Sequence, residues 1–398
     1  MMLVLAVIQL IAISAVSAAL YDVTKYGADR SGGIPSTDQI ARAINDAAIH
    51  GAGIVHFPPG KYLTGPIELK SNIILDIADS TIITFLDDPA LYPPLDVTLP
   101  DGNQRRVEFT PLIRGVGVRN VAIRGNCVLE GNGAIWWDRL PPPATRPIFI
   151  YFSGSHNIVL KNIIIRNSPM FNVNIIWSNS IVVDGIRIRN PESYKGAGPN
   201  TDGINLLSVN RVHVTNVDVA TGDDCLVLDA WGYGKDRDPT HDVLIENSHM
   251  SIGHSGVGIG SITAGGLRNI TIRNCVFDSV CRGVDIRTNN VRGGVVEDIL
   301  YQNLTMNNCT WEGISITALF PDYKDKGWHP IGDQTPFIRN IRYENIRGSA
   351  EREGIYLVGL PESPVENIVL ENVDMRSKKP NPILLQNTRN IVINGRRY

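Results

Sequence analysis

Neither sign of charge predominates in this chain: 37 lysines and arginines stand against 40 aspartates and glutamates over 398 residues, a net charge of -3. The basic excess that draws proteins to nucleic acid is therefore missing, and no nucleic-acid partner is expected, although a local basic groove could still hold another polyanion. Cysteine is scarce too. The five, Cys127, Cys225, Cys275, Cys281 and Cys309, are odd in number and fit no zinc-ligand spacing. One bridge among Cys275, Cys281 and Cys309, or buried thiols packed as small hydrophobes, both fit the pattern. After residue 19 no segment reaches the ~18 uninterrupted apolar residues of a membrane helix. Also missing are the helical stretches of about 10–15 residues that alternate with strands in a parallel α/β sheet.

What is present begins with residues 1–19, an apolar run ending in Ser14-Ala15-Val16-Ser17-Ala18-Ala19. It has the small-residue cleavage site of a secretory signal peptide and lacks only the basic start. The expectation is a secreted, soluble chain with no membrane association after cleavage and a single domain over residues 20–398. A helix is expected over Thr37 to Ile49, where Ile40, Ala43, Ile44, Ala47 and Ala48 share one face behind a capping Ser36 or Thr37. Short strands follow at 54–57, 62–63 and 73–77, separated by Pro58-Pro59-Gly60 and similar breakers.

From residue 120 a unit recurs: a polar residue, apolar-x-apolar, then x and Asn or Gly. It first appears as Asn120-Val121-Ala122-Ile123-Arg124-Gly125 and last as Asn390-Ile391-Val392-Ile393-Asn394-Gly395. Ten copies start their apolar pair at Val121, Ile158, Ile181, Val212, Val243, Ile270, Ile299, Ile341, Ile368 and Ile391. Each is a short half-buried strand closed by a residue type that bends the chain at positive φ. Spacings from 23 to 42 residues mean a constant rung with loops of variable length. The fold expected is all-β, a right-handed parallel β-helix of about ten or more coils capped by the N-terminal helix, with asparagines stacked along a turn.

In such a solenoid, equivalent residues of successive coils lie ~4.8 Å apart. Asn200-Thr201-Asp202, Gly222-Asp223-Asp224 and Gly253-His254-Ser255-Gly256 recur at close to the repeat spacing. Removing about ten loop residues after Ala230 levels Asp223 or Asp224 with Asp202. The expected result is one site holding three carboxylates and a histidine. A calcium site is the rival chemistry for clustered carboxylates; an isolated Asp-Asp pair is most often a solvated turn.

These three motifs, followed by Asp285-Ile286-Arg287-Thr288 and preceded by Tyr26-Gly27-Ala28 and Pro58-Pro59-Gly60-Lys61-Tyr62, resemble the polygalacturonases and related pectin-degrading glycoside hydrolases. The resemblance spans nearly the whole chain after residue 19. It implies hydrolysis of α-1,4-galacturonosyl bonds in a pectic polysaccharide, with inversion, by a monomer needing neither cofactor nor metal. It further implies that Asp223 is the general acid, that Asp202 and Asp224 position the attacking water, and that His254 bonds the acid or a sugar hydroxyl. Asn200, Arg287, Arg282, Phe320 and Tyr323 become substrate-binding candidates, with Trp231 and Tyr233 as further sugar platforms. Asp285 departs from the family's arginine at that place. Facing the sugar, it would repel a uronate and favour a rhamnogalacturonan or modified pectin, unless Arg282 or Arg292 compensates. A β-helix that only binds carbohydrate is the non-enzymatic alternative. The loops at 89–106 and 231–240, if they close one end of a groove, favour release of terminal residues.

Overall fold

The computed structural model describes residues 19–98, 104–139, 146–191, 198–232, 238–320 and 327–398. The leader-like residues 1–18, Tyr233 and Tyr323 lie outside them. Among the described residues no helix is long and apolar enough to cross a membrane. The chain divides into two compact units, one of the described residues in Met1–Ile204 with Arg211–Asp223, the other of Asn205–Asn210 with Asp224–Tyr398.

The first unit carries the helix Thr37–Ile49, whose Ile40, Ala43, Ile44 and Ala47 are buried as their spacing requires. Its cap differs from expectation. The Ser36 side chain makes no capping bond to the helix and instead accepts from the Asp29 amide at 2.9 Å, while the Thr37 hydroxyl accepts from the Gly65 amide at 2.7 Å. Beyond the helix the strands stack in parallel, coil on coil. One row runs Gly53–Phe57, Ile73–Ile77, Arg119–Glu130, His156–Arg166 and Asn179–Asp184. Another runs Ile67–Glu68, Ile113–Val116, Ile150–Ser153 and Val173–Ile176.

The second unit repeats the arrangement. Its outer row is Thr240–Glu246, Leu267–Arg273, Val295–Cys309, Phe337–Ala350, Val365–Ser377 and Thr388–Ile393. The row that supplies functional side chains is Leu226–Asp229, Ser255–Ile259, Arg282–Arg287, Ile314–Thr317, Ile355–Val358 and Ile383–Gln386. Both units are thus lengths of parallel β-helix. The repeat aligns residue for residue: Val121 with Ile158 and Ile158 with Ile181 in the first unit, then Val243, Ile270, Ile299, Ile341, Ile368 and Ile391 in the second. These side chains are buried, since a period of two sends alternate residues inward.

The bends are made by asparagines at positive φ, such as Asn274, Asn303, Asn345 and Asn372, each near +55°. Their side chains form a ladder: the amides of Asn303, Asn345 and Asn372 each donate to the carbonyl oxygen of the asparagine one coil before, at 2.8–3.0 Å. Asparagine is used because it tolerates the left-handed region and offers both a donor and an acceptor along the stack. Replacing Asn303 with alanine removes two ladder bonds and strains the bend, an expected loss of about 2 kcal/mol in denaturant unfolding. Asn303→Gly, which relieves the strain but not the lost bonds, should recover about half.

None of the five cysteines forms a disulfide, so of the two patterns open for Cys275, Cys281 and Cys309 the unbridged thiols are the one found. Cys127, Cys275 and Cys309 are buried, and burial pushes each thiol up to about 12. They pack as small hydrophobes.

Candidate active site

The turn bearing Asp202 is tied to the turn bearing Asp223 by Thr201. Its buried hydroxyl donates to the Gly198 carbonyl at 2.6 Å and accepts from the Gly222 amide at 3.0 Å. Gly222 is a requirement of that approach, because a Cβ there would lie 2.4 Å from the Gly198 carbonyl oxygen. Beneath, buried Asn172 donates to the carbonyls of Thr201 and Asp202, and Asn190 donates to Asn172. The threonine and glycine of the two motifs therefore set the register that brings their aspartates level. Asp202 and Asp223 each offer a carboxylate oxygen within 4.8 Å of the other, and Asp224 is the next residue of the chain. Asp202 and Asp224 are buried and Asp223 is partly exposed. The Asn200 side-chain oxygen Oδ1 accepts from Arg146 at 3.1 Å and braces the turn.

Asp224 lies in the second unit, and its partner there is Arg287. The guanidinium meets both carboxylate oxygens, Nη2 to Oδ2 and Nη1 to Oδ1, the latter at 3.3 Å. Nη1 also donates to Ser255 Oγ at 2.9 Å and to Asp285 Oδ2 at 3.1 Å. Burial alone would raise the Asp224 carboxyl, but Arg287, with Ser255 and His254, outweighs it and holds the carboxyl below its usual range. Asp224 is therefore held as a carboxylate near neutral pH. Nearby Asp229 shows the opposite balance: burial lifts it to about 6, against the Ile262 amide and Arg287. A hard cation at Asp224 would compete with Arg287 for both of its oxygens.

The strand Arg282–Arg287 carries the next pair of charges. Arg287 is buried and held between Asp224 and Asp285, with the Phe320 ring 5.1 Å over its guanidinium. Asp285 is fully buried and so does not confront a sugar. Alternation along Arg282–Arg287 sends Val284 and Ile286 to the core and leaves Asp285 beside Arg287 on the other face. The compensating cation is Arg287 itself, with Arg282 at 3.9 Å; Arg292 goes to Ser261 instead. Phe320 packs as a cover on Arg287.

His254 is half-buried, and its ring lies parallel to Trp311 at 6.4 Å between centroids. Gly256 lies on the strand Ser255–Ile259 that starts after His254, and a Cβ there would lie 2.3 Å from Phe277, which explains the glycine of that motif. Trp231 stays partly exposed, as a sugar platform would. Sequence reasoning missed Ser255, Glu312, Trp311 and Arg352. The first stood inside a motif already noted; the others carry no motif and are found only by register.

The family model described as "Glycosyl hydrolases family 28" matches residues 95–391. A "Probable polygalacturonase" of Vitis vinifera is 28% identical over 374 residues, covering 90% of this chain and 74% of that protein. An exopolygalacturonase of Rhizopus delemar is 28% identical over 308 residues, covering 75% of this chain and 74% of that protein. Among solved structures, a hyperthermoactive exopolygalacturonase from Thermotoga maritima superposes with a TM-score of 0.83 at 26% identity, covering 96% of this chain and 93% of that one.

Proposed function

The chain belongs to glycosyl hydrolases family 28, and on that premise we propose that it is a secreted enzyme hydrolysing α-1,4-galacturonosyl bonds of pectin with inversion. The observation that supports this best is the close pair Asp202 and Asp223, with Asp224 next in the chain and kept ionised by Arg287. Inverting hydrolysis needs two unlike carboxyl groups. Asp223, the more exposed of the adjacent pair, protonates the leaving oxygen. Asp224, with Asp202, takes a proton from the attacking water as its oxygen bonds the anomeric carbon and the glycosidic bond breaks. His254 bonds the acid or a sugar hydroxyl. The gap of up to 4.8 Å between carboxylate oxygens is one bridging water wide. It is also near the ~5 Å of retaining pairs, so product stereochemistry is the direct test.

Digestion of polygalacturonate followed by proton NMR should show the β-anomer of the new reducing end first, with the α-anomer appearing only by mutarotation. An α-anomer formed first, or no cleavage, would sink the proposal. Asp285, buried against Arg287, presents no carboxylate to repel a uronate beside the cleaved bond. We favour exo action, supported by likeness to the Thermotoga and Rhizopus exopolygalacturonases. Reducing ends should then accumulate while the viscosity of the polymer stays high.

A further inference from the structure

From Asp224 a row of side chains of alternating sign runs outward through the second unit. Asp224 pairs with Arg287, Arg287 with Asp285, Asp285 with Arg282 at 3.9 Å, Arg282 with Glu312 at 2.9 Å, and Glu312 with Arg352 at 3.4 Å. Exposure rises along it. The arginine side chains are 10% exposed at Arg287, 16% at Arg282 and 48% at Arg352. Arg287 spans two carboxylates and Arg282 is spent on Glu312 and Asp285, whereas Arg352, among the described residues, has one long ion pair, to a Glu312 that Arg282 already neutralises. A guanidinium has five donors, so Arg352 keeps several to offer an incoming carboxylate.

Position agrees with charge. Backbone bonds step along one edge of the stack, from the Arg282 amide to the His254 carbonyl, from the Trp311 amide to Cys281, and from the Arg352 amide to Trp311. His254, Arg282, Trp311 and Arg352 thus occupy the same turn on successive coils, roughly 14 Å from first to last at ~4.8 Å per coil. Both guanidiniums pack over the Trp311 ring, Arg282 at 4.6 Å and Arg352 at 4.8 Å, and the ring lies alongside His254. The indole fixes Arg352 in place and reduces the entropy lost when it grips a ligand.

We propose that Arg352, seated on Trp311, is a specificity-determining residue that binds the carboxylate of an acidic sugar in a subsite flanking the cleavage point. The charge that Asp285 withdraws by occupying Arg287 is thereby replaced further along the row. This rests on the functional reading above and deepens it.

The test compares wild type with Arg352→Gln and Arg352→Lys on polygalacturonate and on highly methyl-esterified pectin. It also measures calorimetrically the binding of trigalacturonate and its methyl ester to Asp223→Asn with and without Arg352→Gln. Arg352→Gln should raise KM on polygalacturonate at least about tenfold at unchanged kcat and weaken trigalacturonate binding to match. Arg352→Lys should fall between, and the esterified ligands should respond little. Unchanged KM and affinity, or equal losses for acid and ester, would overturn the proposal. If wild type cleaves neither polymer, the functional reading fails, while the trimer affinities still decide the role of Arg352.

Discussion

Asp223→Asn should lower kcat on polygalacturonate by roughly 10²–10⁴-fold, the usual contribution of a positioned general acid, with KM changed little. The substitution keeps the size and the turn. Asp223 is only partly buried, and its neighbour Thr201 holds the motif through Gly222, so the fold should persist. A loss confined to kcat would mark an interaction made in the transition state. The test is steady-state kinetics with reducing-sugar detection, alongside a thermal melt. Activity within a few fold of wild type would remove Asp223 from the acid role and would leave Asp202 as the carboxyl to examine.

Arg287→Gln should be the most damaging substitution to stability, at about 3–5 kcal/mol near neutral pH, because it strands buried carboxylates without their cation. The sign of its pH dependence follows from Asp224. In the wild type that carboxyl titrates below its usual value, so its contribution to stability is present above about pH 4 and is lost as pH falls through the lowered folded value. Without Arg287, burial is no longer outweighed and the carboxyl moves up instead. The variant should then gain stability on acidification from neutral pH, opposite to the wild-type contribution of this group. The acidic limb of kcat/KM should move upward with it, since a protonated Asp224 cannot take a proton from water. Urea unfolding at several pH values, with the activity profile, measures both. A variant as stable as wild type at neutral pH would show that the pair contributes no net stability.

The burial of Asp285 alters how the departure from the family's motif is understood. Read along the chain, a carboxylate where the family has arginine looked like a repulsive wall for a uronate. In the fold it is the middle of an ion-pair row, one strand position in two from Arg287 and facing the same way. Substrate preference then turns on Arg352, whose half-exposed guanidinium lies well away from that motif in sequence.

By itself the sequence determined the coil. An apolar pair flanked by residues that bend at positive φ is local information, and the rungs from Val243 to Ile391 paired as their spacing required. It also determined the level of Asp202 and Asp223, since Thr201 and Gly222 are adjacent to the aspartates they align. Only tertiary structure decided which cation meets which carboxylate. Arg287 reaches Asp224 across 63 residues, and Arg352 reaches Glu312 across 40, through loops whose lengths vary from coil to coil. The same holds for the cysteines, where pairing depends on the distance between side chains in separate coils and none forms. Strand identity follows from a period of two that any short window reveals. Long-range charge pairing follows from the sum of every insertion between the partners, which no window contains.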